Sequence, residues 1–137
     1  MKTKMFVAID PGRHKCGVAV MDGDGGVVEK LIVRRDALGD EIKNLLSRHP
    51  GVEAFAVGSG TGGGGAAALL RENFPGIGTS VVEEKDTTRL AKERFFRENP
   101  GKRYLGIFPL SLFLPQPEVD EYAAVVIGER FLKSGGL

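Results

Sequence analysis

The first third of the chain contains three apolar, β-rich runs separated by turn sequences, and this pattern constrains the fold more than any other feature. The runs cover residues 5–9, 16–21 and 27–33. Asp-Pro-Gly at 10–12 follows the first run, and the sequence Asp-Gly-Asp-Gly-Gly at 22–26 follows the second. Asp-Gly and Gly-Gly favour hairpins, because glycine adopts the positive φ angles that tight turns require. We therefore predict a three-stranded antiparallel meander.

Beyond residue 35 the apolar spacing indicates alternating helices and strands. Asp36 is predicted to cap a helix. The apolar residues of that helix recur at helical spacing and are Leu38, Ile42, Leu45 and Leu46. Further strands are predicted at 53–57 and 78–83, further helices at 66–74, 87–99 and 118–132, and a Pro-rich connector at 108–117. A meander followed by βα units predicts an α/β fold with a mixed five-stranded sheet flanked by helices.

Composition is that of a single globular domain. The 137 residues are 42% hydrophobic and 27% charged, with no internal repeat or linker, so residues 1–137 are predicted to form one domain. Cys16 is the only cysteine, which excludes an internal disulfide and a cysteine-rich zinc site. Neither a bilayer-spanning apolar run nor a leader-like segment is evident, so we expect a cytoplasmic protein without a membrane partner. The net charge of +1 does not by itself indicate a nucleic-acid partner.

Two acidic residues lie where predicted strands end. Asp10 ends the first run, and a carboxylate there can ligate a hard cation such as Mg²⁺, although Asp-Pro-Gly is also ordinary turn chemistry. Glu84 follows the strand predicted at 78–83, at the carboxyl end where α/β sheets tend to place their ligands. Helix capping explains the neighbouring Asp86 and Thr87 well and Glu84 less well.

A third carboxylate, Asp120, lies in the last predicted helix. The apolar residues three, four, seven and eleven positions after it are Ala123, Ala124, Ile127 and Phe131. This spacing places Asp120 on or beside the apolar face, where a lone charge is costly and requires a partner, either a metal ion or an arginine. Three inward carboxylates are what a two-metal site for phosphodiester hydrolysis requires.

The three segments that contain these carboxylates resemble the YqgF/RuvX family of RNase H-like nucleases. Residues 9–20 resemble the opening aspartate strand and hairpin of the family, residues 83–88 its Asp-Glu-Arg-Leu-Thr-Thr block, and residues 119–124 its closing Asp-x-x-Ala-Ala helix. The resemblance covers about residues 5–132. It implies an RNase H-like fold, and Mg²⁺ or Mn²⁺ bound by catalytic Asp10, Glu84 and Asp120.

The same resemblance implies structured nucleic acid as the partner. The family has been linked to Holliday junction resolution and to maturation of the 5′ end of 16S ribosomal RNA, and symmetric cleavage of a junction would require a homodimer. Lys15 and Lys85 are candidates to hold the scissile phosphate. Arg89 and Lys92 lie in segment 85–103, where seven basic and three acidic residues give a local charge of +4. Such a segment can bind a nucleic-acid backbone, or it can be a solvated, ion-paired helix face.

Two departures from the family pattern leave a second interpretation open. Residues 58–65 form a glycine-rich stretch in place of Val-Gly-Leu-Pro and a polar loop, and Lys85 replaces an arginine. The glycine-rich stretch is more typical of a flexible loop than of a phosphate site. The chain could therefore be a nucleic-acid-binding module without catalysis. A sugar-kinase-like or actin-like ATPase also opens with Asp-x-Gly and a hairpin, but it needs two such domains.

Overall fold

A computed structural model describes residues 4–60, 63–83 and 116–137, with side chains described at 4–60, 65–83 and 122–137. The strands are β1 (Met5–Asp10), β2 (Lys15–Asp22), β3 (Val27–Arg34), β4 (Val52–Gly58) and β5 (Gly78–Val82). The helices are α1 (Leu38–Arg48), α2 (Gly63–Asn73) and α3 (Gln116–Lys133), and a 3₁₀ turn (Arg35–Ala37) precedes α1. The helix predicted at 87–99 and most of the connector predicted at 108–117 lie outside the described residues.

The five strands form one sheet in the order β3-β2-β1-β4-β5. β1, β2 and β3 pair antiparallel, whereas β1, β4 and β5 are parallel. The turn between β2 and β3 is closed by the Asp22 carboxylate, which accepts hydrogen bonds of 2.9 Å from the N–H groups of Asp24 and Gly26. The predicted mixed sheet, with its meander followed by βα units, is confirmed.

The two faces of the sheet carry side chains of different size. Side chains of alternate residues point to opposite faces of a strand. Large buried side chains, such as Val7, Ile9 and Phe55, face α1 and α2. The other face packs against α3, and its central strands present mainly alanines, namely Ala8, Ala19, Ala54 and Ala56. Small residues let a helix approach a sheet closely, so α3 lies tight against β1 and β2.

Gly128 of α3 makes the closest approach to the sheet. A Cβ at this position would overlap with the Met21 sulfur, and it would lie 3.1 Å from Phe6 Cε2 and 3.3 Å from Ala8 Cβ. The helix face predicted to be apolar is buried, and so are all residues from 122 to 128. None of the helices described is long and apolar enough to cross a membrane.

The predicted helix cap at Asp36 is wrong. Asp36 lies within the 3₁₀ turn, and its carboxylate pairs with the Arg34 guanidinium at 2.8 Å on the surface. Ala37 occupies the N-cap position of α1, and an alanine side chain has no atom that can accept a hydrogen bond. The chain leaves β3 through a tight turn before α1 starts, which moves the helix start two residues beyond Asp36.

An ion pair between β3 and the end of α1 predicts a pH dependence of stability. Arg48 donates to both carboxylate oxygens of Glu29, at 3.2 and 3.0 Å, and His49 Nε2 lies 3.5 Å from the same carboxylate. The hydrogen bond from Arg48 holds the pKa of Glu29 below its ordinary value of 4.5. A carboxyl group with a lowered pKa stabilises the folded state above its unfolded pKa, and this contribution is lost as the pH falls through the folded pKa.

We therefore expect the Glu29 contribution to be full at pH 7 and to disappear as the pH falls below 4.5. Arg48 is half exposed, so the contribution should be about 0.2–1 kcal/mol. Urea unfolding of the wild type and of Glu29→Gln at pH 7 and pH 3 measures it. The variant should be less stable at pH 7, and the difference should be smaller at pH 3. An equal difference at both pH values would contradict the assignment.

Candidate functional site

Asp10 is the last residue of β1, a strand with neighbours on both sides. Because side chains alternate along a strand, Asp10 shares the face of Phe6 and Ala8, which is the face covered by α3. Its partner on β2 is Gly17, which has no side chain to fill the adjacent space. Asp10 is half-buried. The carboxylate thus lies at the carboxyl end of a central strand, on the face that packs against α3.

The three parallel strands end at the same edge of the sheet. Ile9 of β1 is level with Val57 of β4, and Gly58 is level with Val82 of β5. Arg130 of α3 donates a hydrogen bond of 2.8 Å to the Glu83 carbonyl oxygen, which ties the helix to the end of β5. Ligands of open α/β sheets bind outside the carboxyl ends of the strands. This edge is therefore where a substrate is expected.

A cavity of about 230 Å³ opens beside Asp10. Its lining residues come from the end of β1, the following loop and the start of β2, and they are Asp10, Gly12, Arg13, His14, Lys15 and Gly17. The structure thus brings together two of the predicted site residues, Asp10 and Lys15. It adds Arg13 and His14, to which the sequence analysis assigns no role. Their place inside the aspartate–hairpin segment was the one available signal.

Gly12 determines the shape of the loop that lines this cavity. A Cβ at residue 12 would overlap with the carbonyl oxygen of Lys15, so the chain doubles back more tightly than a larger residue allows. The Arg35 N–H donates to the His14 carbonyl oxygen at 2.8 Å, and Arg35 Nη1 donates to the Gly12 carbonyl oxygen at 3.2 Å. Arg35, which directly follows β3, thus binds two carbonyl groups of the loop.

The remaining predicted site residues are not described to the same extent. Glu84, Lys85, Arg89 and Lys92 lie outside the described residues. Asp120 belongs to α3, but its side chain is outside them. Across 4–60, 65–83 and 122–137, no three His, Cys, Asp or Glu side chains lie close enough together to hold a metal ion. A three-carboxylate centre at Asp10 therefore depends on Glu84 and Asp120.

The glycine-rich loop predicted at 58–65 is too long, because residues 63–65 already belong to α2. Gly58 ends β4, the Ser59 N–H donates to the Val82 carbonyl oxygen at 2.8 Å, and α2 begins at Gly63. The hydrogen bond of Ser59 extends the contact between β4 and β5 beyond the paired residues. Flexibility of this loop stays a prediction.

Comparison with solved structures identifies the fold of this chain. No protein-family profile matches the chain, and no curated protein sequence matches it. Among solved structures, RuvC of Thermus thermophilus superposes with a TM-score of 0.55 at 13% identity, covering 96% of each chain. A ROK family transcriptional regulator, a homologue of Escherichia coli Mlc, gives a TM-score of 0.50 at 13% identity and covers 68% of this chain. A ROK family glucokinase from Streptomyces griseus gives 0.47 at 16% identity and covers 66%.

The extent of these matches differs. This chain spans nearly the whole length of RuvC, but only 31% of the ROK regulator and 36% of the glucokinase. At such low identities the similarity describes the fold, and the RNase H-like α/β fold that we predict is confirmed.

Proposed function

We propose that the protein is a Mg²⁺- or Mn²⁺-dependent endonuclease that hydrolyses phosphodiester bonds in structured nucleic acid. One observation carries the proposal: Asp10 ends a central strand on the α3 face, beside a cavity that Arg13 and Lys15 also line. A carboxylate suits a hard cation, and the adjacent cationic side chains suit a phosphate. The same small space can thus accept the two partners that phosphodiester hydrolysis requires.

The donor set fits the proposed cations, because Mg²⁺ and Mn²⁺ prefer oxygen ligands. Asp10, Glu84 and Asp120 would hold them, with Glu84 following Glu83 at the end of β5 and Asp120 one helical turn before Ala124 of α3. When bound, the cations supply a water-derived nucleophile and stabilise the charge that develops on the phosphate. This chemistry needs no serine, cysteine or histidine nucleophile.

The basic residues of the chain would bind the substrate. Lys15 and Arg13 lie next to Asp10 and would hold the scissile phosphate or its neighbour. Lys85, Arg89 and Lys92 would contact the backbone farther along, where each phosphate contact adds to the salt dependence of binding. We expect the affinity for nucleic acid to fall steeply between low and physiological salt.

The substrate is either a four-way DNA junction or a ribosomal RNA precursor. The similarity to RuvC over the full length favours the junction, and cleavage of its two strands in a symmetric way would require a homodimer. The resemblance of residues 83–88 and 119–124 to the YqgF/RuvX motifs is compatible with both substrates. A cytoplasmic location is part of this proposal.

Cleavage of two labelled substrates tests the proposal. A four-way DNA junction and a fragment that contains the 5′ end of the 16S ribosomal RNA precursor are incubated with the protein and Mg²⁺ or Mn²⁺, and with EDTA as the control. We expect one substrate to be cut at defined positions only when the cation is present. Tight, metal-independent binding of both substrates without any cut would instead show a binding module without catalysis.

A further inference from the structure

Arg35 contacts the loop beside Asp10 through both its backbone and its side chain. Its N–H donates to His14 and its Nη1 donates to Gly12, each at a carbonyl oxygen. The two carbonyl groups flank Arg13, which lines the cavity. Arg35 is the first residue after β3, and its neighbour Arg34 is paired with Lys15 in the sheet. The residue is thus anchored in the sheet next to the segment that it holds.

The guanidinium of Arg35 also contacts the elements that lie behind the loop. It forms a hydrogen bond with the thiol of Cys16, which is fully buried on β2. Its positive charge also favours the ionised form of that thiol. Burial raises the pKa of this thiol more than the Gly12 N–H and the Arg35 guanidinium lower it. On the other side, a Cβ at Gly65 in the first turn of α2 would lie 3.0 Å from Arg35 Nη2. The guanidinium therefore fills the space between the loop, β2 and α2.

We propose that Arg35 is a positioning residue that holds the 11–14 loop in the shape that presents Asp10, Arg13 and Lys15 to one cavity. This inference rests on the proposed function in so far as the cavity is a site of cleavage. Two hydrogen bonds of Arg35 go to carbonyl groups of this loop, so Arg35 can act on the cavity through the loop. The planar guanidinium group of an arginine donates hydrogen bonds in several fixed directions at once. A lysine ammonium group on its flexible side chain does not reproduce this geometry.

Three variants test the role of Arg35. Arg35→Gln removes both the positive charge and the guanidinium donors, whereas Arg35→Lys keeps the charge but not the guanidinium geometry. Arg34→Gln is the matched control, because Arg34 precedes Arg35 directly, its side chain is 80% exposed, and it pairs with Asp36 on the surface. The control removes one positive charge from the same region without touching the loop contacts. Each variant is first checked for the wild-type melting temperature to within a few degrees.

Two measurements report on the opening of this region and need no enzymatic activity. Cys16 is the only cysteine and contacts both Gly12 and Arg35, so the rate of its reaction with a thiol reagent reports on how often the structure around this buried thiol opens. Trypsin cuts after Arg13 and Lys15 only where the loop opens. For Arg35→Gln we expect both rates to rise at least about tenfold, with Arg35→Lys intermediate and Arg34→Gln unchanged.

The catalytic readout separates positioning from binding. Loss of a group that orients the residues around a metal typically costs about 10–100-fold in activity. We expect Arg35→Gln to lose that much in kcat with little change in KM, whereas loss of a phosphate contact would raise KM. Unchanged kcat in Arg35→Gln alongside an opened loop would overturn the positioning role. So would wild-type thiol and trypsin rates in that variant.

The two proposals can fail separately. If the wild type cuts neither substrate, the proposed function fails, and the loop contacts are then judged by the thiol and trypsin rates alone. Increased rates in Arg35→Gln but not in Arg34→Gln would still support the role of Arg35 in holding the cavity. Equal rates in both variants would overturn it.

Discussion

Asp10→Asn should lower the rate of metal-dependent cleavage by at least about a thousandfold, because metal ions supply several kcal/mol of transition-state stabilisation and each 1.36 kcal/mol is a factor of ten. Asparagine keeps the shape of aspartate but loses the negative charge that holds a divalent cation. Asp10 is the one predicted ligand whose side chain the structure describes, and it lies beside the cavity at the end of β1. Its loss should therefore remove the centre even if the other two carboxylates remain.

The fold should survive this change. Asp10 pairs with Gly17 through backbone groups, which asparagine retains, and its side chain is only half-buried. Asp24→Asn is a suitable control, since Asp24 is an exposed acid in the turn at the opposite end of β1 and β2. Initial rates at saturating Mn²⁺ and melting temperatures are measured for both variants and the wild type. Full metal-dependent activity in Asp10→Asn would contradict the assignment of this residue to the metal site.

Local sequence signals were sufficient to predict the sheet. Asp-Gly and Gly-Gly turns identified the meander, and the structure extends each of the three predicted strands by only one or two residues, for example to Asp10 in β1. The same turn chemistry places Asp10 at a strand end, which is a property of short-range spacing. Its location on the α3 face follows from alternation once the faces of the sheet are known.

Contacts between distant residues could not be predicted in this way. Arg35 reaches Gly12 across 23 positions of sequence, and no local pattern indicates that its guanidinium turns toward that carbonyl group. Asp36 illustrates the opposite error: an acidic residue before an apolar helix predicts a cap, but the 3₁₀ turn instead leaves its carboxylate beside Arg34 on the surface. The Asp36 carboxylate thus pairs with Arg34 instead of capping α1.

The helical spacing from Asp120 does not identify a single buried face of α3. Spacing from Asp120 selected Ala123, Ala124, Ile127 and Phe131 as an inner stripe, and all four are buried. However, Tyr122, Val125, Val126 and Gly128 are buried too, so burial at positions 122–128 does not single out one face of the helix. The assignment of Asp120 to the metal site therefore stays a prediction that depends on the motif at residues 119–124.

Packing of α3 on the sheet is where a single truncation should cost the most stability. Phe6 of β1 is fully buried, and its ring centroid lies 5.0 Å from that of Phe131 on α3. Phe6→Ala should lower the free energy of unfolding by about 3–5 kcal/mol, since it removes a buried ring and leaves a cavity that the small neighbours cannot fill. For a domain of ordinary stability, about 5–15 kcal/mol, this is a large fraction.

Phe74→Ala is the matched control for this truncation. Phe74 follows α2, is only half-buried, and its ring centroid lies 5.8 Å from that of Phe55 on the opposite face of the sheet. Its loss should cost about 1–2 kcal/mol, because less apolar surface returns to water. Urea unfolding followed by circular dichroism measures both variants. A loss in Phe6→Ala no greater than that in Phe74→Ala would mean that α3 is not held by this contact, and that the alanine-lined face can close around the missing ring.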